Sequence, residues 1–343
     1  MSEDLDLPRL LAIGDLDDLV RTVDLLAARQ SWDDVVWVRD RCRTAAEEIG
    51  RQLWGVAHFA DYRIALDAPG ELAASVVAPG SGRFTLGPLT EVVAQTHSFD
   101  ELDEHLDATI RAIVAQERVL RGEDLSPAFG EPGSADLPAW VAQPWEPSYR
   151  LPRYRPDQRL EGDPASVSGR AVAVDAADDD PPAMDDIGHA GAIERELAGL
   201  VDAWVVESRG LVTTATVDGG LAEVVGVVGL DRVEAWPLSV PEALVRLADA
   251  AASGGYHGRR RGGAAGRIAA WWTAATLCGL DDLADPDELE FRLEELRWWA
   301  LDVDEPSSVR LALAVEDPVG GWAAAIDAID VPDDTDDVSD EGD

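Results

Sequence analysis

The chain has 343 residues, of which 46% are hydrophobic, and its 68 acidic residues against 28 basic ones give a formal net charge of −40. This length and apolar content predict two folded domains rather than a disordered chain. Because affinity for nucleic acid comes from basic side chains that neutralise phosphates, the charge argues against DNA or RNA as a partner.

Composition also bears on location and cofactors. All 28 basic residues are arginine, which indicates coding bias in a GC-rich genome. Cys42 and Cys278 form no CxxC motif, so neither a zinc ribbon nor a disulfide framework is expected, and a reducing cytoplasm fits. The N-terminus is acidic where a secretory signal is basic, and no stretch approaches the roughly 20 apolar residues that span a bilayer. We expect a soluble cytoplasmic protein without membrane contact, cofactor or metal.

Residues 1–122 are predicted to form a helical domain. Apolar residues recur every seven positions from Val35 to Val56, which predicts one long helix, bent by glycines, with a buried stripe. Residues 98–101, Ser-Phe-Asp-Glu, have the pattern of a capping box and predict a second helix that continues to Leu120.

Acidic residues and histidines in this second helix suggest one metal-site hypothesis. Glu101 and His105 are four residues apart and would share a helix face, as two ligands of a divalent cation do. Since no second ligand cluster of suitable spacing is visible, a solvated acidic face is the preferred interpretation, and no metal site is predicted.

Residues 123–185 are predicted to form a connector between two domains. Eight prolines between Pro127 and Pro164 exclude a long helix or a central strand, and the acidic stretch DAADDDPP follows them. Aromatic rings are unusual in a free linker, so part of the connector is expected to lie against a domain. The rings in question are Trp140, Trp145, Tyr149 and Tyr154.

Residues 186–330 mix helical and strand periods and are predicted to form a second domain. Strands are expected at LVTTATVD from Leu211, at RVEAWPL from Arg232 and, most clearly, at VRLALAVED from Val309. The segment RWWALDV from Arg297 is expected to pair with the last of these as a hairpin, so that the two tryptophans face opposite sides of a sheet.

The predicted fold class is therefore α+β, with a helical N-terminal domain and a mixed α/β C-terminal domain that has an antiparallel strand pair near its end. Residues 331–343 hold seven acidic residues and no arginine. They are predicted to be a disordered acidic tail.

The stretch YHGRRRGGAAGR, from Tyr256 to Arg267, concentrates arginines in an otherwise acidic chain. It begins a segment predicted to be a buried helix, whose N-terminus offers unpaired backbone N–H groups and a positive dipole end. A phosphate, sulfate or carboxylate bound there would explain the cations, with an imidazole available for proton transfer. This candidate anion site consists of His257, Arg259, Arg260, Arg261, Gly262, Gly263 and Arg267.

The alternative is that these arginines pair with carboxylates of the same chain and tie its two halves together. This interpretation is preferred because carboxylates outnumber arginines so heavily. A Walker loop needs lysine and a hydroxyl where Ala264 and Ala265 stand, and Arg261 occupies the first glycine position of a GxGxxG motif. No GxSxG, HExxH or catalytic-cysteine motif occurs, so no catalytic residue is assigned.

Several strings along the chain support a family resemblance. They are YRIALDAPGE, GRFTLGPLTEV, ERVLRGEDL, QPWEPSY, HGRRRGGAAGR and LAVEDP. In these strings the chain resembles, along most of its length, a family of proteins from high-GC actinobacteria that has no assigned function. The resemblance implies no activity, fold or site residue.

The leading functional hypothesis is an adaptor or regulatory protein that binds another protein and has no catalytic activity. It rests on the lack of a catalytic motif and on the acidic flanks, the aromatic connector and the acidic tail, which are common in interaction proteins. The alternative is a sensor or enzyme that binds a phosphorylated metabolite, a nucleotide or another anion at Tyr256–Arg267. A third possibility, a nucleic-acid mimic, requires a contiguous acidic face.

Overall fold

The computed structural model describes residues 7–13, 15–78, 81–82, 84–130, 138–162, 170–177, 187–280, 285–302 and 309–332. The chain divides into two compact units. The first contains Met1–Arg121 and Leu151–Gly162, and the second contains Gly122–Arg150 and Asp163–Asp343. The predicted acidic tail lies, from residue 333 onward, outside the described residues.

The first unit is built from helices and a short hairpin. Its helices are α1 (Leu7–Ile13), α2 (Leu16–Ala28), α3 (Trp32–Ile49), α4 (Trp54–Asp67), α5 (Gly70–Ser75), α6 (Leu89–Thr96), α7 (Phe99–Leu102) and α8 (Ala108–Val119), with a 3₁₀ turn at Asp103–His105. The antiparallel hairpin consists of β1 (Arg153–Tyr154) and β2 (Arg159–Leu160). The helices enclose a buried apolar cluster in which α3 and α4 contribute Val38, Cys42, Val56 and Ile64.

The prediction of one long helix from Val35 to Val56 is wrong. Gly50 ends α3 in the left-handed conformation, with φ at 65°, which glycine adopts without a Cβ penalty. The chain resumes as α4 at Trp54. The seven-residue spacing misled because Val35 and Val56 are both buried although they belong to different helices.

The second predicted helix is also shorter than the pattern indicated. The capping contacts at its start are present, because the backbone N–H of Ser98 donates to Glu101 at 2.8 Å. However, α7 stops at Leu102, and a new helix begins after Asp107, whose carboxylate accepts from the N–H groups of the next turn. A second N-cap residue thus divides the predicted helix.

The hairpin strand β1 is anchored in the first unit by hydrogen bonds to α6. The buried hydroxyl of Tyr154 donates to Glu91 at 2.6 Å. The side-chain amide of Gln95 bonds the backbone of Tyr154 twice, accepting from its N–H at 2.6 Å and donating to its carbonyl at 3.0 Å. A segment of the predicted connector therefore completes the helical unit.

The second unit is a sheet with helices on both faces. Its elements are α9 (Ser126–Phe129), β3 (Val172–Asp175), α10 (Ile187–Gly199), α11 (Asp202–Glu207), β4 (Leu211–Asp218), α12 (Leu221–Val227), β5 (Arg232–Leu238), α13 (Val240–Ala252), α14 (Gly263–Leu277), α15 (Pro286–Glu295), β6 (Arg297–Asp302), β7 (Val309–Asp317) and β8 (Trp322–Asp330). The six strands among the described residues of this unit are all antiparallel, in the order β3-β5-β6-β7-β8-β4. The α+β prediction is confirmed, and the predicted pair of β6 and β7 lies inside this larger sheet.

The two tryptophans of β6 show how the faces of the sheet are covered. Trp298 is buried in the cluster formed with α10, α13 and α14. Trp299 packs against the cluster beneath α12 on the opposite face, and its indole N–H donates to Glu316 at 2.8 Å. The other oxygen of Glu316 accepts from the backbone N–H of Leu221 at 2.9 Å, which caps α12 from the sheet.

None of the described helices is both long and apolar enough to cross a membrane.

Candidate functional site

The predicted anion-site residues occupy two different environments. Tyr256–Arg261 form a loop between α13 and α14, here called the arginine loop, on which His257, Arg259 and Arg261 are exposed. Gly262 caps α14 with φ at 104°, and α14 begins at Gly263. Arg267, in the second turn of this helix, has a side chain that is 0% exposed.

The arginine loop is held in place by tight backbone contacts. A Cβ on Gly258 would lie 1.9 Å from the carbonyl oxygen of Gly254, so only glycine fits there. The buried carboxylate of Asp330, at the end of β8, accepts from the N–H of Tyr256 at 2.5 Å and from the N–H of Arg209 at 3.3 Å. Asp330 thus joins the loop to the segment that leads into β4.

Two further backbone contacts bring the loop beside the end of α11. The N–H of His257 donates to the Ser208 hydroxyl at 3.2 Å, and the N–H of Arg259 donates to Glu207 at 3.4 Å. Arg261 also approaches Glu207, at 3.4 Å, but both side chains are more than 40% exposed. An exposed pair of this kind contributes little to stability.

Arg267 binds a carboxylate of its own chain. Its Nε and Nη2 donate to the two oxygens of Glu146 at 2.8 and 2.6 Å, a bidentate pair with both side chains 0% exposed. Its remaining donors reach the carbonyl oxygens of Ala139 at 2.9 Å and Val141 at 3.3 Å. Glu146 is therefore the anion that Arg267 holds in this structure.

The surroundings of Glu146 complete a buried polar network. The Trp271 indole N–H and the Tyr149 hydroxyl both donate to it, at 3.0 and 2.9 Å. Burial alone would raise the pKa of Glu146, but the hydrogen bonds and charge of Arg267 outweigh this effect and hold that pKa below its usual value. Burial raises the pKa of the Tyr149 hydroxyl well above its usual value. Two aromatic side chains of the connector, Trp145 and Tyr149, therefore pack in the second unit, where the Trp145 ring lies 5.0 Å from that of Trp271.

Arg260 lies near another carboxylate. Asp249, on α13, receives a hydrogen bond from Arg150 at 2.6 Å. Burial raises the pKa of Asp249, while the charges of Arg150 and Arg260 act in the opposite direction. Thus Arg260, Arg261 and Arg267 are each close to acidic side chains of the same unit.

Exposed apolar side chains that sequence reasoning did not single out lie on the arginine loop and at both ends of residues 206–211, the segment that the loop contacts through Glu207 and Ser208. Val206 is 78% exposed, Leu211 72% and Tyr256 47%. Together with Arg209, Arg259 and Arg261 they form what we call the arginine-rimmed surface. The sequence carries a weak signal for it, since Val205-Val206 immediately precedes the polar turn Glu-Ser-Arg-Gly.

The metal-site hypothesis at Glu101 and His105 rested on a shared helix face, and that prediction is wrong. Helix α7 ends at Leu102, and His105 lies in the following 3₁₀ turn. Hydrogen bonds from Ser98 occupy Glu101 and lower its pKa. Over the described ranges, no group of three or more His, Cys, Asp and Glu side chains is arranged to hold a metal ion.

His58 lies on α4 in the first unit, between two exposed rings. Its ring centroid is 6.3 Å from that of Trp54 and 5.2 Å from that of Phe84. Burial lowers the pKa of the His58 imidazole, against the opposing effect of the nearby Asp61 carboxylate. Asp61, one turn further on, binds Arg43 at 2.6 Å, and burial raises the pKa of its carboxyl despite this pairing.

Comparison with known proteins gives a family and no activity. No curated protein and no solved structure shows a significant match to the chain. A family model, described as a family of unknown function (DUF6183), matches residues 8–331, a span that takes in most of both units. The chain therefore belongs to the DUF6183 family.

Proposed function

We propose that the protein acts by binding another protein through the arginine-rimmed surface. The observation that carries the proposal is the set of exposed apolar side chains at this surface, with Val206 78% and Leu211 72% exposed at the ends of the segment that the arginine loop contacts. Exposed apolar residues with a polar rim mark interaction sites. Tyrosine and arginine are also over-represented in protein interfaces.

A protein partner fits this surface better than a small anion does. Arg267 already binds Glu146, and Arg261 lies 3.4 Å from Glu207. A small anion would have to compete with these carboxylates for the same guanidinium groups. A protein partner gains free energy from covering apolar area and needs the arginines only for orientation and electrostatic attraction.

The charge distribution supports an acidic region on the partner. The net charge of −40 repels nucleic acid over most of the surface, so DNA and RNA are not proposed. At the arginine-rimmed surface, by contrast, Arg209, Arg259 and Arg261 are exposed on two segments that Asp330 and Glu207 join, and they would attract carboxylates. We propose an adaptor or regulatory role in the cytoplasm of an actinobacterium, without catalytic activity.

Site-specific photo-crosslinking tests this proposal. A photoreactive amino acid at Val206 is expected to give a protein adduct in the cells that make the protein. The same amino acid at Phe291, an exposed apolar position on α15 that is 63% exposed, serves as the control and is expected to give none. Reversing charge with Arg259→Glu and Arg261→Glu is expected to reduce the adduct. Equal adducts at both positions, or none at Val206, would contradict the proposal.

The small-anion alternative has its own test. Thermal unfolding is measured at fixed ionic strength with phosphate, sulfate, nucleotides and sugar phosphates, and no shift is expected. A bound ligand at a hundred times its Kd would add about 2.7 kcal/mol of stability, which such a measurement detects easily. A shift with one anion that Arg260→Ala abolishes would favour the sensor or enzyme instead.

A further inference from the structure

Strand β4 lies at one edge of the six-stranded sheet. It pairs with β8 on one side. Among the described residues, no strand or backbone hydrogen bond occupies its other side. In an antiparallel strand, alternate residues direct both N–H and C=O away from the partner, so the outer edge of β4 presents a row of donors and acceptors.

The edge of β4 lacks the features that usually prevent strands from pairing with another chain. From Leu211 to Val217 it contains no charged residue, proline or glycine, and it is rich in β-branched residues. The opposite edge strand, β3, has four residues against the eight of β4, and it ends at the charged Asp175. Edge strands that avoid pairing are typically short or charged, so β4 is suited to accept a strand and β3 is not.

The two ends of β4 differ in charge. Arg209 precedes the strand, and the exposed Arg259 and Arg261 of the arginine loop lie beside this end. The other end carries Asp218, which lies opposite Trp322 of β8. Asp317, on β7, lies opposite the same tryptophan on the other side of β8. Neither of these carboxylates forms an ion pair with a described residue. An antiparallel copy of the strand would set the arginine end of each chain against the carboxylate end of the other.

A two-fold arrangement is also compatible with the faces of the sheet. Residues directly opposite one another in antiparallel strands point to the same face. In a register centred on Thr214, Leu211 faces Val217 of the second copy, and both side chains lie on the α12 side of their sheets. The exposed Leu211 then gains an apolar neighbour, and the two sheets become one continuous sheet.

We propose that β4 pairs antiparallel with β4 of a second copy of this chain, about a two-fold axis, through the arginine-rimmed surface. The inference rests on the proposed function, because it names the partner of the same surface. Symmetric self-pairing of this kind is the commonest arrangement in soluble oligomers. The charge complementarity of the two strand ends selects a second copy over an unrelated acidic segment.

A charge-exchange experiment tests the pairing. Sedimentation of the full chain is expected to show a dimer, and Arg209→Glu or Asp218→Arg alone is expected to weaken dimerisation at least tenfold, because each places like charges at two contacts per dimer. An equimolar mixture of the two variants is expected to form a heterodimer of wild-type affinity, because opposite charges then meet at both contacts. Arg232→Glu, at the start of β5, is the matched control and is expected to leave dimerisation unchanged.

A monomeric wild-type chain up to near-millimolar concentration, or a mixture that dimerises no better than either variant alone, would overturn the pairing. Amide hydrogen exchange provides a test without variants. Protection of β4 amides is expected to rise with protein concentration, while protection of β3 amides stays constant; equal behaviour of both edges would also overturn it.

These outcomes separate self-pairing from the broader proposal. A Val206 adduct of twice the chain mass supports self-pairing. If the chain sediments as a monomer and Val206 forms an adduct with a different protein, the protein-binding function is supported and self-pairing is refuted. If Val206 gives no adduct and the chain is monomeric, both proposals fail.

Discussion

Replacing Glu146 by glutamine is expected to destabilise the second unit by about 3–5 kcal/mol, the range found when one partner of a buried ion pair is removed. The carboxylate accepts hydrogen bonds from Arg267, Trp271, Tyr149 and the Gln143 backbone, with donor distances between 2.6 and 3.0 Å. An amide keeps one oxygen but presents an NH₂ group, so some of these donors would face another donor. The guanidinium would also stay buried without its counter-charge.

Two arginine variants give the matched comparison. Arg267→Met is expected to cost a similar amount, because it leaves Glu146 as a buried carboxylate without its counter-charge and removes the donors to two backbone carbonyls. Arg261→Met removes a pair at 3.4 Å between side chains that are 46% and 41% exposed, and is expected to cost less than about 1 kcal/mol. The two arginines are six positions apart in the sequence but differ in burial.

Equilibrium unfolding in urea, followed by tryptophan fluorescence, measures these differences. The transition of the second unit is expected to move to lower urea in Glu146→Gln and Arg267→Met, and to stay near wild type in Arg261→Met. The reasoning would be refuted if Glu146→Gln lowered the free energy of unfolding by less than about 1 kcal/mol, because the buried guanidinium of Arg267 would then be stable without its counter-charge. A loss in Arg261→Met equal to that in Arg267→Met would refute it as well.

Further predictions concern pH, thiols and glycines. The pKa of Glu146 is held below its ordinary 4.5, so the difference in unfolding free energy between wild type and Glu146→Gln should be complete above pH 4.5. The difference should shrink as the pH falls through the lowered pKa. Urea midpoints at neutral and acid pH measure it. Burial raises the pKa of Cys42 to about 11 and that of Cys278 to about 12. Thiol reagents at mildly alkaline pH should therefore label both cysteines only after unfolding. Rapid labelling of the native protein would contradict their burial. Gly258→Ala should destabilise the protein, since its Cβ would lie 1.9 Å from a carbonyl oxygen. Gly191→Ala, in open space on α10, should stabilise the protein by about 0.5–1 kcal/mol. Thermal unfolding compares the two variants, and equal shifts in Tm would count against the loop geometry.

Strand prediction succeeded where the side chains themselves favour strands. The β-branched and alternating patterns of β4, β5 and β7 identified these elements with the observed bounds. Strand β8, WAAAIDAID, was missed because alanine and aspartate are depleted in strands. It is a strand because it lies between β7 and β4, where small side chains such as Ala324 and Ala325 fit under the layers on either face. This reason lies in the tertiary structure and leaves no pattern in the sequence of the strand itself.

The candidate site shows the same limit. The sequence located the arginines, but the partner of Arg267 lies 121 positions earlier, in a proline-rich segment with no regular period. Nothing near Glu146 in the sequence distinguishes it from the other acidic residues of the chain. Likewise, the exposure of Leu211 depends on β4 being an edge strand, which follows from the order of the sheet rather than from the strand's own residues.

The division of the chain between its two units has a consequence for protein synthesis. Residues 151–162 return to the first unit after 122–150 have joined the second. When the ribosome has made helices α1 to α8, Glu91 still lacks the hydroxyl of Tyr154. Segment 138–150 emerges next, but its Glu146 cannot pair with Arg267 until that residue has been synthesised, more than a hundred residues later. The helical unit therefore reaches its final form only once Gly162 has left the exit tunnel, and a gene truncated at residue 122 would encode an incomplete unit.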